Sequence, residues 1–368
     1  MSSNLTIKQV SDLIDISLPQ FTIFLITFVL PVFAFLGAAS NVVILFIMPL
    51  RDVAISKTAK IYYLAIAVGD FLSIFTFNIL WVFLDESLGY LFGEQRSIDL
   101  SDETTGCKII WNLWTNAESL SNYGALAMTV EKIIALYLPL KSRSLLTNKF
   151  STILIIAHVL PVWMILTPLN VIVNDVIIAP GIGQGGQSCG KDVDHDWFLV
   201  STYAQVLLSW CFPEILHFLG AILISYKLFT IQTARKALFH NLGNVQSELS
   251  SNAREINSTV IILLVVFSRF VIYFPVAVST FYYYVFQLDG YLSYVEWNKA
   301  HLLNLERIRY VVAIGGITRI FLELTSITHS INLLIYYYRI PSFRRKFLSF
   351  FTCGLHSHSP EDFFIQGA

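Results

Sequence analysis

The chain has 368 residues, of which 55% are hydrophobic and only 13% charged, against about 25% charged in ordinary soluble domains. Its 24 Lys and Arg nearly balance its 25 Asp and Glu, leaving a formal charge of −1. This composition argues against a soluble enzyme, gives no sign of a nucleic-acid partner, and with four cysteines excludes a disulfide scaffold.

The first 19 residues are polar and carry no basic–apolar–small cleavage pattern, so no removable signal peptide is read there. Asn4-Leu5-Thr6 is a glycosylation sequon that suits an outside location, whereas Asn257-Ser258-Thr259, at the start of a span, is read as chance. Apolar stretches follow at 21–48, 60–84, 107–137, 150–173, 197–229, 258–286 and 308–338. A helix rises about 1.5 Å per residue, so about 20 apolar residues cross a hydrocarbon core of about 30 Å, and each stretch is long enough. The expected fold is an all-α membrane protein, a seven-transmembrane helix bundle. Its parts are an extracellular segment 1–19, a membrane domain 20–338, and an amphipathic helix with a cytoplasmic tail, 339–368. The loop near 174–196 contains Pro180-Gly181-Ile182-Gly183-Gln184-Gly185-Gly186, too glycine-rich for a helix. After the last span, residues 341–351 alternate apolar and basic groups at helical spacing, as a short helix lying on the inner lipid surface does.

With the N-terminus outside, fourteen Lys and Arg fall on inner connections and tail and seven on outer segments, which sets the orientation. The outer segments hold fifteen Asp and Glu. Two readings stand for that excess: a field that gathers cationic ligands, or a solvated rim. Cys107 and Cys189 both fall on the oxidising side, where a bridge would pin the second outer loop. Cys211 reads as packing, and Cys353 as either a palmitoylation site or an unmodified thiol.

Several motifs fall in order on these spans. Span one has Gly37-Ala38-Ala39-Ser40-Asn41, and span two Leu64-Ala65-Ile66-Ala67-Val68-Gly69-Asp70. Span three ends in Glu131-Lys132-Ile133 followed by Pro139-Leu140, with Cys107 upstream, and span seven carries Asn332-Leu333-Leu334-Ile335-Tyr336. Over nearly its whole length the chain resembles the rhodopsin-like G-protein-coupled receptors. The resemblance implies an extracellular ligand, a heterotrimeric G protein as partner, the plasma membrane as location, and no enzymatic activity.

Three expectations follow from the resemblance. Glu131 would restrain Lys132, which stands where the family has arginine, until activation frees it, the alternative being interfacial charges that merely snorkel; Tyr336 belongs to the same inner switch. Asp70, with Ser121 and Asn332, would form a sodium pocket, the ion acting as an allosteric modulator; the alternative is a protonated or hydrogen-bonded Asp70 without an ion. The family's apolar contact near Pro213 and Pro275 is replaced by Asn122 and Arg269, with Glu214 beside Pro213. A buried Arg269 needs a carboxylate partner, and Glu214 is the expected one, giving an Asn122–Glu214–Arg269 connector; a water-filled cavity around Arg269 is the alternative.

The ligand pocket is sketched from Trp111, Trp114 and Glu118 of span three, Tyr273 of span six, and Arg319 and Glu323 of span seven. With the acidic rim, it suggests a basic peptide or other cation, unless these acids pair internally. A receptor-shaped protein that no longer signals is a second reading, because Lys132, Ile133, Tyr273 and Leu333 depart from the family. A transporter or channel is a third, opposed by the lack of an inverted repeat.

Overall fold

In an apolar medium a backbone must satisfy its own hydrogen bonds, and this chain does so with long helices. The computed structural model describes residues 28–87, 104–178, 187–191, 196–239, 259–282 and 305–351. The sequon at Asn4, the glycine-rich stretch 180–186 and Cys353 lie outside these residues.

Helix α1, Leu30–Ile47, has Pro31 in its first turn, where a missing N–H costs nothing. Helix α2, Lys57–Ser73, starts on Ser56, whose hydroxyl accepts from the Ala59 N–H, and continues with π-helical winding over Ile74–Ser87. Helix α3, Thr104–Tyr137, is followed by the short α4, Pro139–Leu145, and by α5, Asn148–Val173, which Thr147 caps through the Phe150 N–H. Strands β1, Asn174–Ile178, and β2, Gln187–Lys191, pair antiparallel with Val176 opposite Cys189. Helix α6, Phe198–Gln205, leads through a π-helical turn, Val206–Cys211, into α7, Phe212–Phe239. Helices α8, 259–282, α9, Leu305–Arg339, and α10, Pro341–Phe351, complete the described chain.

Among the described residues, five helical runs are long and apolar enough to cross a membrane: Leu30–Ile47, Lys57–Leu80, Asn148–Val173, Phe198–Thr233 and Thr259–Tyr282. Their outward faces carry large apolar side chains such as Met164 and Phe267, each about two-thirds exposed or more, which a bilayer accommodates and water does not. Helices α3 and α9, at 34 and 35 residues, are as long but more polar, and they lie among the others: α3 packs on α2, α5 and α7, and α9 on α1. Two details differ from the sequence expectation. The second loop contains a hairpin whose first strand is rich in β-branched residues, and α7 runs past 229 to Phe239.

Candidate functional site

The centre of the bundle is polar, and a glycine sets its geometry. A Cβ added to Gly69 would lie 2.6 Å from the Ser121 backbone nitrogen and 2.7 Å from the Ala117 carbonyl oxygen, so α2 and α3 meet here only because position 69 has no side chain. That approach delivers Ser121 to Asp70, the next residue on α2, and the Ser121 hydroxyl donates to Asp70 Oδ1. From α9, Asn332 Nδ2 donates to Asp70 Oδ2 at 2.6 Å. The three residues expected around a cation therefore converge, all within 1% of full burial.

The cation they meet is part of the chain. Arg269 of α8, fully buried, places Nη2 at 3.0 Å from Asp70 Oδ1, 3.3 Å from Asp70 Oδ2 and 2.6 Å from Ser121 Oγ. Its Nη1 donates to Asn122 Oδ1 at 2.7 Å. His329 of α9 adds a further contact, Nδ1 at 2.6 Å from Asp70 Oδ1. An ionised carboxylate only accepts, so Nδ1 carries the hydrogen; in the neutral ring Nε2 then accepts from the Tyr273 hydroxyl at 3.0 Å. One carboxylate thus ties together α2, α3, α8 and α9.

The pairing of Arg269 with Glu214 is corrected by this geometry. The Asn122 contact is present, but the carboxylate facing Arg269 is Asp70. Neither Glu214 oxygen has a hydrogen-bond partner, and the nearest ionisable atom paired with it is His217 Nδ1 at 3.6 Å. The guanidinium plane is anchored at both ends on α2 and α3, which leaves only Nε unpartnered. A sodium ion at Asp70 would have to share the carboxylate with this guanidinium.

Pro213 acts through what it lacks. A proline donates no hydrogen bond, so the carbonyl four residues back, Ser209, is released from the helical ladder. The π-helical turn releases a second carbonyl, because the Phe212 N–H bonds to Leu207 rather than Leu208. Helix α3 takes up both: Asn122 Nδ2 donates to the Ser209 oxygen at 3.0 Å and the Tyr123 hydroxyl to the Leu208 oxygen at 2.7 Å. Asn122 thereby links Arg269 to α7. Pro275, half-buried, lies in α8 beyond Tyr273.

Beside this network is an aromatic cluster. Trp114 stacks on Phe77 at 4.4 Å between ring centres, meets Trp111 edge-on at 5.3 Å, and reaches Trp210 at 6.4 Å. Tyr273 belongs to the same packed group. Glu118 is fully buried beside Trp210 and Tyr273 of this cluster. Of the expected pocket residues, Trp111, Trp114, Glu118 and Tyr273 come together, and the side chains of Arg319 and Glu323 lie outside the described residues.

At the far end of α3, the Glu131 carboxylate accepts from Ser151 Oγ of α5 at 2.8 Å, and the half-buried Lys132 follows it in the chain. Tyr336 is fully buried, 4.7 Å from the Tyr63 ring and 6.2 Å from the Phe343 ring of α10. Helix α10 is fastened to the α1–α2 turn by Ser342 Oγ, which accepts from the Ala54 N–H at 2.9 Å, and by Lys346 Nζ, 2.6 Å from Asp52. The hydrogen bond and charge of Lys346 hold the exposed Asp52 carboxyl below the usual carboxylate range. Cys107 is fully buried at the head of α3, against which the hairpin packs; the Cys189 side chain lies outside the described residues.

Sequence reasoning missed His329, Ser151 and the freed carbonyls. His329 stands three residues before Asn332, on the same helical face, and that spacing was a readable signal. A scan against protein-family models finds none that matches the chain, and a search of curated proteins likewise finds no match.

Proposed function

We propose that the chain is a seven-span receptor of the plasma membrane, N-terminus outside, that binds an extracellular cationic ligand, a basic peptide being the preferred class, and activates a heterotrimeric G protein. The observation that carries this reading is the buried Asp70–Arg269–His329–Asn332 network. An intramembrane charge pair is costly and marks function by default, and this one joins four helices through a single carboxylate. Two hydrogen-bonded states of such a knot would couple the two ends of the bundle, with ligand shifting their populations. Helices α3 and α9, although more polar than the other five, are the third and seventh spans in this reading.

In the resting arrangement Arg269 serves as a tethered cation at the place where the receptor family suggests sodium. The aromatic cluster of Trp111, Trp114 and Tyr273 would floor the ligand site, with Arg319 and Glu323 above it. Glu131, Lys132 and Tyr336 would border the G-protein cleft. A Cys107–Cys189 bridge would fasten the hairpin over the bundle; it is supported by the hairpin's packing on α3 and by Cys211 being the free thiol among the described cysteines. Asn4 and Cys353 would carry glycan and palmitate.

The test is G-protein dissociation in cells expressing the chain, across a reporter panel, as tissue-extract fractions are added. A response lost on Lys132→Ala and on protease treatment of the active fraction is the expected result. Silence across all fractions and reporters, with surface expression confirmed, would shift the reading to a receptor-shaped protein that does not signal.

A further inference from the structure

Helices α7 and α8 face each other with rows of side chains at helical spacing. On α7 the row is Phe218, Ala221 and Ser225, and on α8 it is Val266 and Phe270. Between them runs a groove of about 380 Å³, within the range of small-molecule sites. One end is closed by rings: Phe218 stacks on Phe270 at 4.8 Å with planes 20° apart, and Phe270 stacks on Phe274 at 5.2 Å. Ala221, the smallest side chain of the row, leaves the room, and the buried Val266 forms the floor. The lips, Tyr226 and Phe267, are each about two-thirds exposed, so the groove opens on the lipid-facing side.

Its two ends differ in polarity. Phe270, at the ring-capped end, follows Arg269 of the central network in the chain. The other end carries the hydroxyls of Ser225 and Tyr226, with Lys227 next. A lysine there marks the polar edge of the bilayer, and its ammonium lies 5.2 Å over the Tyr137 ring of α3. From Phe218 to Ser225 the helix rises roughly 10 Å. An occupant therefore comes from the bilayer, is apolar over about that length, offers a flat face to the rings, and ends in a small polar head. Charge selects among lipids: a phospholipid brings a phosphate, and among the described residues no cation lines the groove. An acyl chain would also lose rotameric freedom in a slot of stacked rings, a cost that a fused ring system does not carry.

We propose that the groove between α7 and α8 is a sterol-binding site, with the ring system against Phe218 and Phe270 and the sterol hydroxyl at Ser225. The bound sterol bridges the two helices, so its occupancy holds them at their present spacing. The site requires only that α7 and α8 face lipid, and it stands apart from ligand and G protein.

The experiment uses the full chain in phosphatidylcholine nanodiscs with a photoreactive cholesterol analogue as the probe, labelled residues being mapped by mass spectrometry. Label is expected on 218–226 and 266–270, displaced by cholesterol and far less by its mirror image, which alters the bilayer equally but fits the groove wrongly. Ala221→Phe fills the groove without removing a polar group and is expected to cut this label about tenfold, as overpacking of a fitted site does. Ser225→Ala is expected to cut it severalfold. Added cholesterol should raise the wild-type unfolding midpoint and leave that of Ala221→Phe unmoved. Label spread evenly over the lipid-facing helices, equal displacement by the mirror image, or full labelling of Ala221→Phe overturns the proposal. Preferential displacement by an anionic phospholipid assigns the groove to an acyl chain and overturns it too. The mirror-image comparison is read on wild type even where Ala221→Phe fails to fold.

Discussion

Two buried acidic regions meet α3 one helical turn apart, and they are built oppositely. Asp70 of α2 meets it at Ser121; a turn before comes Glu118 of α3 itself, with Glu214 of α7 as a further buried acid. Around Asp70 each carboxylate oxygen is bonded, by a guanidinium, an amide, a hydroxyl and an imidazole drawn from three other helices. Around Glu118 and Glu214 no oxygen is held so closely: His217 Nδ1 stands 3.6 Å from Glu214, and Trp210 and Tyr273 lie beside Glu118. The first arrangement stores rigidity, because its bonds come from three different helices and none of them moves without breaking one. The second stores the capacity to change, since its groups gain close partners only on rearrangement. A bundle of this kind is held at one level and left poised at the next.

The sharpest way to break the contrast is to remove Arg269. Arg269→Met leaves Asp70 buried with an uncompensated charge and is expected to cost about 3–5 kcal/mol, read as lost folded yield and a lower unfolding midpoint in nanodiscs. A small effect would place Asp70 in the same class as Glu118. Gly69→Ala forces α2 from α3 and is expected to cost about 1–3 kcal/mol by the same assay. Asn122→Leu strands the Ser209 carbonyl and one Arg269 donor, for about 1–3 kcal/mol. Sodium sharpens the comparison at the smallest scale: replacing choline chloride with sodium chloride is expected to leave the wild-type midpoint unmoved. It should raise the midpoint of Arg269→Gln, in which the carboxylate is released for an ion.

Much of this was legible in the sequence, for local reasons. Hydropathy found the helices, because apolar length is a property of a single segment. The positions of Asp70, Ser121, Asn122 and Asn332 in the central site also followed from motif order. What failed was the choice between two acids for Arg269. Glu214 and Asp70 both lie on neighbouring helices, and the rotation of α8 that decides between them is set by tertiary packing, including the α2–α3 approach that Gly69 permits. The Pro213 carbonyl release was within reach, since a missing N–H at 213 points to Ser209; the facing donor, Asn122, could be paired with it only once α3 and α7 were side by side. The hairpin is not legible from alternation in so short a loop, and Ser151 carries no signal that would set it against Glu131.

The most direct measurement is a double-mutant cycle of Asp70→Asn and Arg269→Gln, by unfolding of the full chain in nanodiscs, run beside the same cycle for Glu214→Gln and Arg269→Gln. The account predicts strong coupling in the first cycle, with the double variant far less damaged than the sum of the singles. In the second, coupling should stay within the roughly 0.3–0.5 kcal/mol typical of independent sites. Additivity between Asp70 and Arg269, or the larger coupling between Glu214 and Arg269, would contradict it.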